Sequence, residues 1–256
     1  MSAVTVTRDQ RDAFAAQVHS CAVRKVFRTV TEGCVVLGLG FWAVFGLVMV
    51  VVPLVVHRSG GVMGGGVSYG AEYSARWFAF SLGMILFLLV LATHLAAGGT
   101  RRALFTGVLG ASLVTGLLYG VLHALFLLAE RGLFGALGWE WTSPDATAVT
   151  GTGFLVTVGT QGIVAAAYML VAVAVATGYQ AYGVWRGTVL VVPGLAMLGL
   201  VEAVVGSGGV ADAVTANAPD LVIPTSLRLV GGLVLLALAA LWLRWQLLGL
   251  RLRPAR

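Results

Sequence analysis

From residue 34 onward the chain returns, again and again, to apolar stretches of twenty or more residues with almost no charge in them. A helix rises about 1.5 Å per residue, so about twenty such residues cross the roughly 30 Å of hydrocarbon in a bilayer. The runs fall at 34–56, 77–97, 104–129, 153–177, 187–206 and 227–248. Only 10% of the 256 residues are charged and 59% are apolar, against about 25% charged in an ordinary soluble domain. The mean hydropathy of +0.96 therefore comes from repeated spans and not from one core. Inside lipid each span must satisfy its own backbone, so even Val48–Val52 and Val171–Val175 read as helix despite their β-branched composition.

The expected fold is an all-α integral membrane protein, a single polytopic domain over residues 1–256 with six transmembrane helices. Residues 1–33 form a cytoplasmic tail and 249–256 a basic one. The first apolar run is longer than the 7–15 residues of a signal peptide and reads as a retained span. Basic residues set the orientation. With the N-terminus inside, Arg8, Arg11, Arg24, Lys25, Arg28, Arg101, Arg102, Arg186, Arg244, Arg251, Arg253 and Arg256 lie on the cytoplasmic side. Only Arg58, Arg76, Arg131 and Arg228 of the 16 Lys+Arg lie outside, and that bias places both termini in the cytoplasm of a cell-membrane protein. Trp77, Trp139 and Trp141 mark the outer headgroup level, Trp185, Trp242 and Trp245 the inner one, and Trp42 is a packing or lipid-facing residue within the first span.

The formal charge of +6 does not imply nucleic acid, because the cations cluster at span ends where anionic lipid attracts them. Cys21 and Cys34 fall on the cytoplasmic side and are expected as free thiols. The four histidines, His19, His57, His94 and His123, include no pair at H-E-x-x-H spacing, and no cysteine pair has ligand spacing. The phosphate loop G-x-x-x-x-G-K-[ST] is absent. The expectation is a non-enzyme with no metal and no cofactor, so any ATP hydrolysis resides in another chain.

Several smaller features carry expectations. Val23, Val26, Phe27 and Val30 recur at helical spacing opposite Arg24, Lys25 and Arg28, which predicts a short amphipathic helix on the interface before the first span. An ordinary juxtamembrane extension fits the same residues. Pro53 falls in the last turns of the first span, and Pro193 is expected to bend the fifth. The loop over 57–76 is Gly-rich (Gly60, Gly61, Gly64, Gly65, Gly66, Gly70); 130–152 carries Glu130, Glu140 and Asp145. Residues 207–226, with Asp212, Asp220 and Leu221-Val222-Ile223, suggest re-entrant or interfacial structure, and Pro224 suits a helix start.

Within the spans ionisable groups are few. Glu202 is expected to pair with Arg228 and close the last hairpin, because a carboxylate in lipid needs a partner or a wet cavity. His123 and Glu130 lie two turns apart on one face, either as a polar patch or with His123 as a packed interfacial residue. Gly116 and Gly120 form a G-x-x-x-G face suited to tight bundle packing or to a homodimer.

Between the second and third spans the sequence Gly98-Gly99-Thr100-Arg101-Arg102-Ala103-Leu104-Phe105 is similar to the G-x-[ST]-R-R-x-x-F segment of small actinobacterial permease-like proteins. With the six spans and the helix before them, the chain resembles the membrane-spanning permease subunits of type-2 ABC exporters. The resemblance implies a membrane subunit energised by a separate cytoplasmic ATPase, working as a homodimer or with a paired permease. It places the ATPase contact at Gly99, Thr100, Arg101, Arg102 and Phe105, the interfacial helix at 21–30 and outer re-entrant structure at 207–226. Two rival functions stand beside it: a scaffold or accessory subunit without a path of its own, and an intramembrane enzyme, which would need His94, His123 or Glu202 to converge.

Overall fold

In the computed structural model, which describes residues 7–63, 65–142, 151–218, 220 and 223–249, every regular element is helical. The helices are α1 (Arg8–Arg58), α2 (Ser68–Ala96), α3 (Arg101–Ala136), α4 (Gly151–Val205), α5 (Gly209–Asn217) and α6 (Thr225–Gly249). Five of them, all but α5, are long and apolar enough to cross a membrane. Large apolar side chains such as Val36, Val44, Leu47, Leu89 and Leu241 are exposed on the bundle's outside. A soluble monomer rarely tolerates apolar surface on that scale. The chain is a multi-pass membrane protein.

Helix α1 begins with a capping box: Thr7 accepts from the Gln10 backbone, and the Gln10 side chain accepts from the Thr7 backbone. At 51 residues it is about 75 Å long, far more than a bilayer needs. The amphipathic segment at 21–30 is therefore the lower part of this same helix and not a separate interfacial one. Its apolar face is not turned to lipid either. Val26 and Val30 are buried, and a Cβ on Gly107 of α3 would stand 2.7 Å from the Val26 side chain. The absent side chain at Gly107 lets α3 cover that face, which corrects the expectation of an interfacial helix.

Helix α4 holds 55 residues, and only Gly183 within it is non-helical, at φ 79° and ψ −179°. An L side chain rarely adopts that φ, and glycine adopts it freely. The chain doubles back here. Tyr168 hydrogen-bonds Glu202, and a Cβ on Gly194 would pack on Val171 and Val175; Tyr179 lies within 3.2 Å of Thr188. The first arm (151–182) and second arm (184–205) are thus antiparallel, with Pro193 accommodated inside the second.

The first arm is the axis of the bundle. Residues 161–178 are buried around the whole circumference, as expected of a helix apolar on every side. Helices α2, α3 and α6 all pack against α4, and α1 packs mainly on α3. Gly116 and Gly120 meet the first arm: a Cβ on Gly116 would stand 2.5 Å from the Gly162 carbonyl oxygen, and one on Gly120 would overlap that of Val158. The G-x-x-x-G face is used inside the chain. Trp42 is 4% exposed and stacks on Phe126 with centroids 5.2 Å apart, so it packs and does not face lipid.

Two ends result. One carries Arg101, the turn at Gly183 and the C-terminal end of α6, joined where an Arg101 Nη donates to the Leu248 carbonyl (3.1 Å). The other carries Arg58, the start of α2, the end of α3 and α5. Gly64, Asp145, Leu221, Val222, Arg251, Arg253 and Arg256 lie outside the described residues.

Candidate functional site

Near the Arg58 end, the most charged interior of the protein is built around Arg76, which is 2% exposed. Helix α2 starts at Ser68, well before the apolar run, and its first turns bring Glu72 and Arg76 onto one face at i, i+4 spacing. Arg76 pairs with Glu72. Its other terminal nitrogen lies 3.0 Å from Glu202 Oε1, and Ser207 Oγ accepts at 2.9 Å.

The acceptors are themselves held. Gln161 Nε2 donates to Glu72 (2.8 Å) and Tyr168 Oη to Glu202 (2.7 Å). The Tyr73 ring lies 5.7 Å from the guanidinium carbon, within the reach of a cation–π contact. The segment Gly206-Ser207-Gly208 makes the approach possible: both glycines have positive φ, and a Cβ on Gly208 would collide with Arg76 and with Glu202. One guanidinium thus ties α2 to both arms of α4 and to the link between α4 and α5.

The expected Glu202–Arg228 pair does not form. Arg228 instead donates through Nε to the Ile223 carbonyl (3.0 Å), where it caps the entry to α6. Arg76 reaches Glu202 first because α2 lies directly against α4, whereas Arg228 opens its helix facing the loop before it.

His123 is buried and lines a small cavity with Trp42, Arg76 and Tyr119. Glu130 shares its helix and is fully buried, but binds elsewhere. It accepts from Ser68 N at 2.9 Å, from the Ser68 hydroxyl and from Trp141 Nε1 at 3.2 Å. His94 is also remote from these groups, with Nε2 3.0 Å from the Thr100 carbonyl. His94 therefore does not converge with His123 and Glu202. Among the described residues no group of three or more His, Cys, Asp or Glu is arranged to hold a metal.

At the opposite end Gly99, Thr100, Arg101, Arg102 and Phe105 form a compact corner. Gly98 turns the chain at φ 75°, Thr100 caps α3 by accepting from Ala103 N (3.2 Å), and Gly99 packs on the His94 ring. Arg101 is spent on α6, Arg102 is exposed and Phe105 is half-buried against the core. Helix α5 occupies the stretch where re-entrant or interfacial structure was expected.

Glu72, Arg76, Gln161 and Tyr168 were not singled out from the sequence as a group. The usable signal was Glu72-x-x-x-Arg76 running without a break into an apolar helix. Comparison with protein-family models, with curated proteins and with solved structures returns no match to this chain.

Proposed function

We propose that the protein is the membrane-spanning subunit of a transporter, an exporter energised by a separate cytoplasmic ATPase, with six crossings and both termini in the cytoplasm. The fold-back at Gly183 supports counting the arms of α4 as two crossings. The positive-inside rule supports the sidedness, since Arg24, Lys25, Arg28, Arg101, Arg102, Arg186 and Arg244 gather toward one end.

The observation that carries the reading is the Glu72–Arg76–Glu202 network. Ionisable groups inside a membrane bundle are costly and are a functional hypothesis by default. Apolar packing resists partial opening, but a hydrogen-bonded latch exchanges its partners for water when a path opens. The latch joins α2 to both arms of α4 at the outer end. The corner at Gly99–Phe105 joins α2, α3 and α6 at the inner end. A partner closing on Arg101 and Arg102 would bias one packing of the bundle over another, which is what coupling requires.

A second reading, a scaffold or accessory subunit working as a homodimer or beside another permease, draws on the first arm of α4. Its buried length is filled by Ala, Val and Gly with small-residue contacts to α3, a packing suited to a rigid post.

Copurification from native membranes separates the two. The transporter reading expects an ATPase subunit to accompany the wild-type chain and to be lost from R101Q/R102Q, with membrane insertion retained. An ATPase that stays with the double variant, or none with the wild type, contradicts it.

A further inference from the structure

We infer that the groove between α1, α3 and α6 at the Arg101 end is a binding site for the phosphate headgroup of an anionic phospholipid. The groove has a volume of about 360 Å³ and is lined by His19 from α1, Arg101, Arg102 and Phe105 from α3, and Arg244 and Leu248 from α6. Among the described residues no carboxylate lines it, and neither Arg102 nor Arg244 belongs to an ion pair. Two unpaired guanidiniums across a cleft suit a phosphate, whose oxygens accept in the fork geometry an arginine presents. Arg101 fixes the walls by holding the Leu248 carbonyl.

Charge alone would also suit a soluble anion. The choice of lipid rests on what continues from the groove. Val234, Leu238, Leu241, Trp245 and Leu248 are all exposed and recur every three or four residues on α6, so they form one apolar stripe. Leu248, its last member, is a wall of the groove. A headgroup held by Arg102 and Arg244 would have its acyl chains on that stripe, with the 68%-exposed Trp245 at the headgroup level that tryptophan favours. Basic pockets between transmembrane helices take acidic headgroups in this way.

The inference rests on placement in a membrane and not on the ATPase reading. Arg244 lines the groove but lies outside the proposed partner contact, so it separates the two.

Native mass spectrometry of the purified chain, with phosphatidylglycerol and phosphatidylcholine supplied at equal concentration in detergent, tests it. Wild type should retain phosphatidylglycerol preferentially. R244Q and R102Q should each weaken that preference about fivefold, the scale of one cation near a charged surface. R58Q/R131Q, at the other end, should leave it unchanged. Equal retention of the two lipids by wild type overturns the proposal whatever the variants do. So does a preference that survives R102Q/R244Q, or one abolished by millimolar inorganic phosphate, which would mark a site for free anions.

Discussion

The Arg76 guanidinium and the Glu202 carboxylate stand 3.0 Å apart although 126 positions separate them in sequence. Both side chains are almost wholly enclosed, at 2% and 5% exposure. Each also has further partners: Glu72, Gln161 and Ser207 for Arg76, and Tyr168 for Glu202. The network fixes α2 against both arms of α4, and its cost of burial is offset only while every member is present.

Removing Arg76 leaves two buried carboxylates without their shared cation, whereas removing Glu202 leaves Arg76 paired with Glu72. R76Q, which strands both carboxylates, is expected to lower unfolding stability in detergent by about 3–5 kcal/mol, the scale for breaking a buried pair, and E202Q by less, because Arg76 keeps Glu72. The double variant R76Q/E202Q should cost less than the sum of the two. R228Q should cost about 1 kcal/mol, the worth of one hydrogen bond to Ile223. Thermal or denaturant unfolding of the four variants checks this, and additive costs for the double variant would contradict a direct pair.

The contact of α3 with α4 depends on two missing side chains. G116A and G120A each force a methyl group against a carbonyl oxygen of the first arm, and backbone cannot step aside as a flexible side chain can. Each should destabilise the bundle by about 1–3 kcal/mol without changing the oligomeric state, because the face is buried within one chain. A change from dimer to monomer with stability unchanged would place these glycines at an interface between copies.

Gln246 is 1% exposed on α6, and among the described residues neither its amide nitrogen nor its oxygen has a hydrogen-bond partner. An unsatisfied buried amide costs about 1–3 kcal/mol. Q246L and Q246M should therefore match or exceed wild-type stability in the same unfolding assay. A clear loss would show that the amide has a role.

Gly183 turns the chain at φ 79°. G183A puts a Cβ into that conformation at a cost of about 1–3 kcal/mol, whereas Ala at Gly135, where a Cβ would meet nothing within 4 Å, should cost nothing measurable. Comparable losses at both positions would argue against the sharp turn.

The helices were legible because lipid leaves a backbone one economical solution, and runs such as 34–56 and 227–248 are long and uncharged. The limits of α1 and α2 were not. Hydropathy marks where a helix enters oil, and nothing in it stops the helix there. Polar residues 8–33 and 68–76 continue the same helices outside the apolar runs. Because Arg76 lies outside the apolar run, hydropathy leaves Arg228 as the obvious partner of Glu202 on the same side. Which charge reaches a carboxylate is decided by helix packing, and packing is carried by contacts such as Gly83 of α2 against the Met169 backbone of α4. No spacing rule announces those. The Gly116–Gly120 motif showed a close-packing face but not its partner, which Gly162 and Val158 supply.

The most direct test is of the fold-back itself. With Cys21 and Cys34 replaced, single cysteines at Thr7, Ser59, Val184 and Gly249 would be labelled in oriented membranes with an impermeant maleimide. The account predicts that Thr7, Val184 and Gly249 react from one side and Ser59 from the other. Thr7 and Gly249 reacting from opposite sides would mean that α4 crosses once and would contradict it.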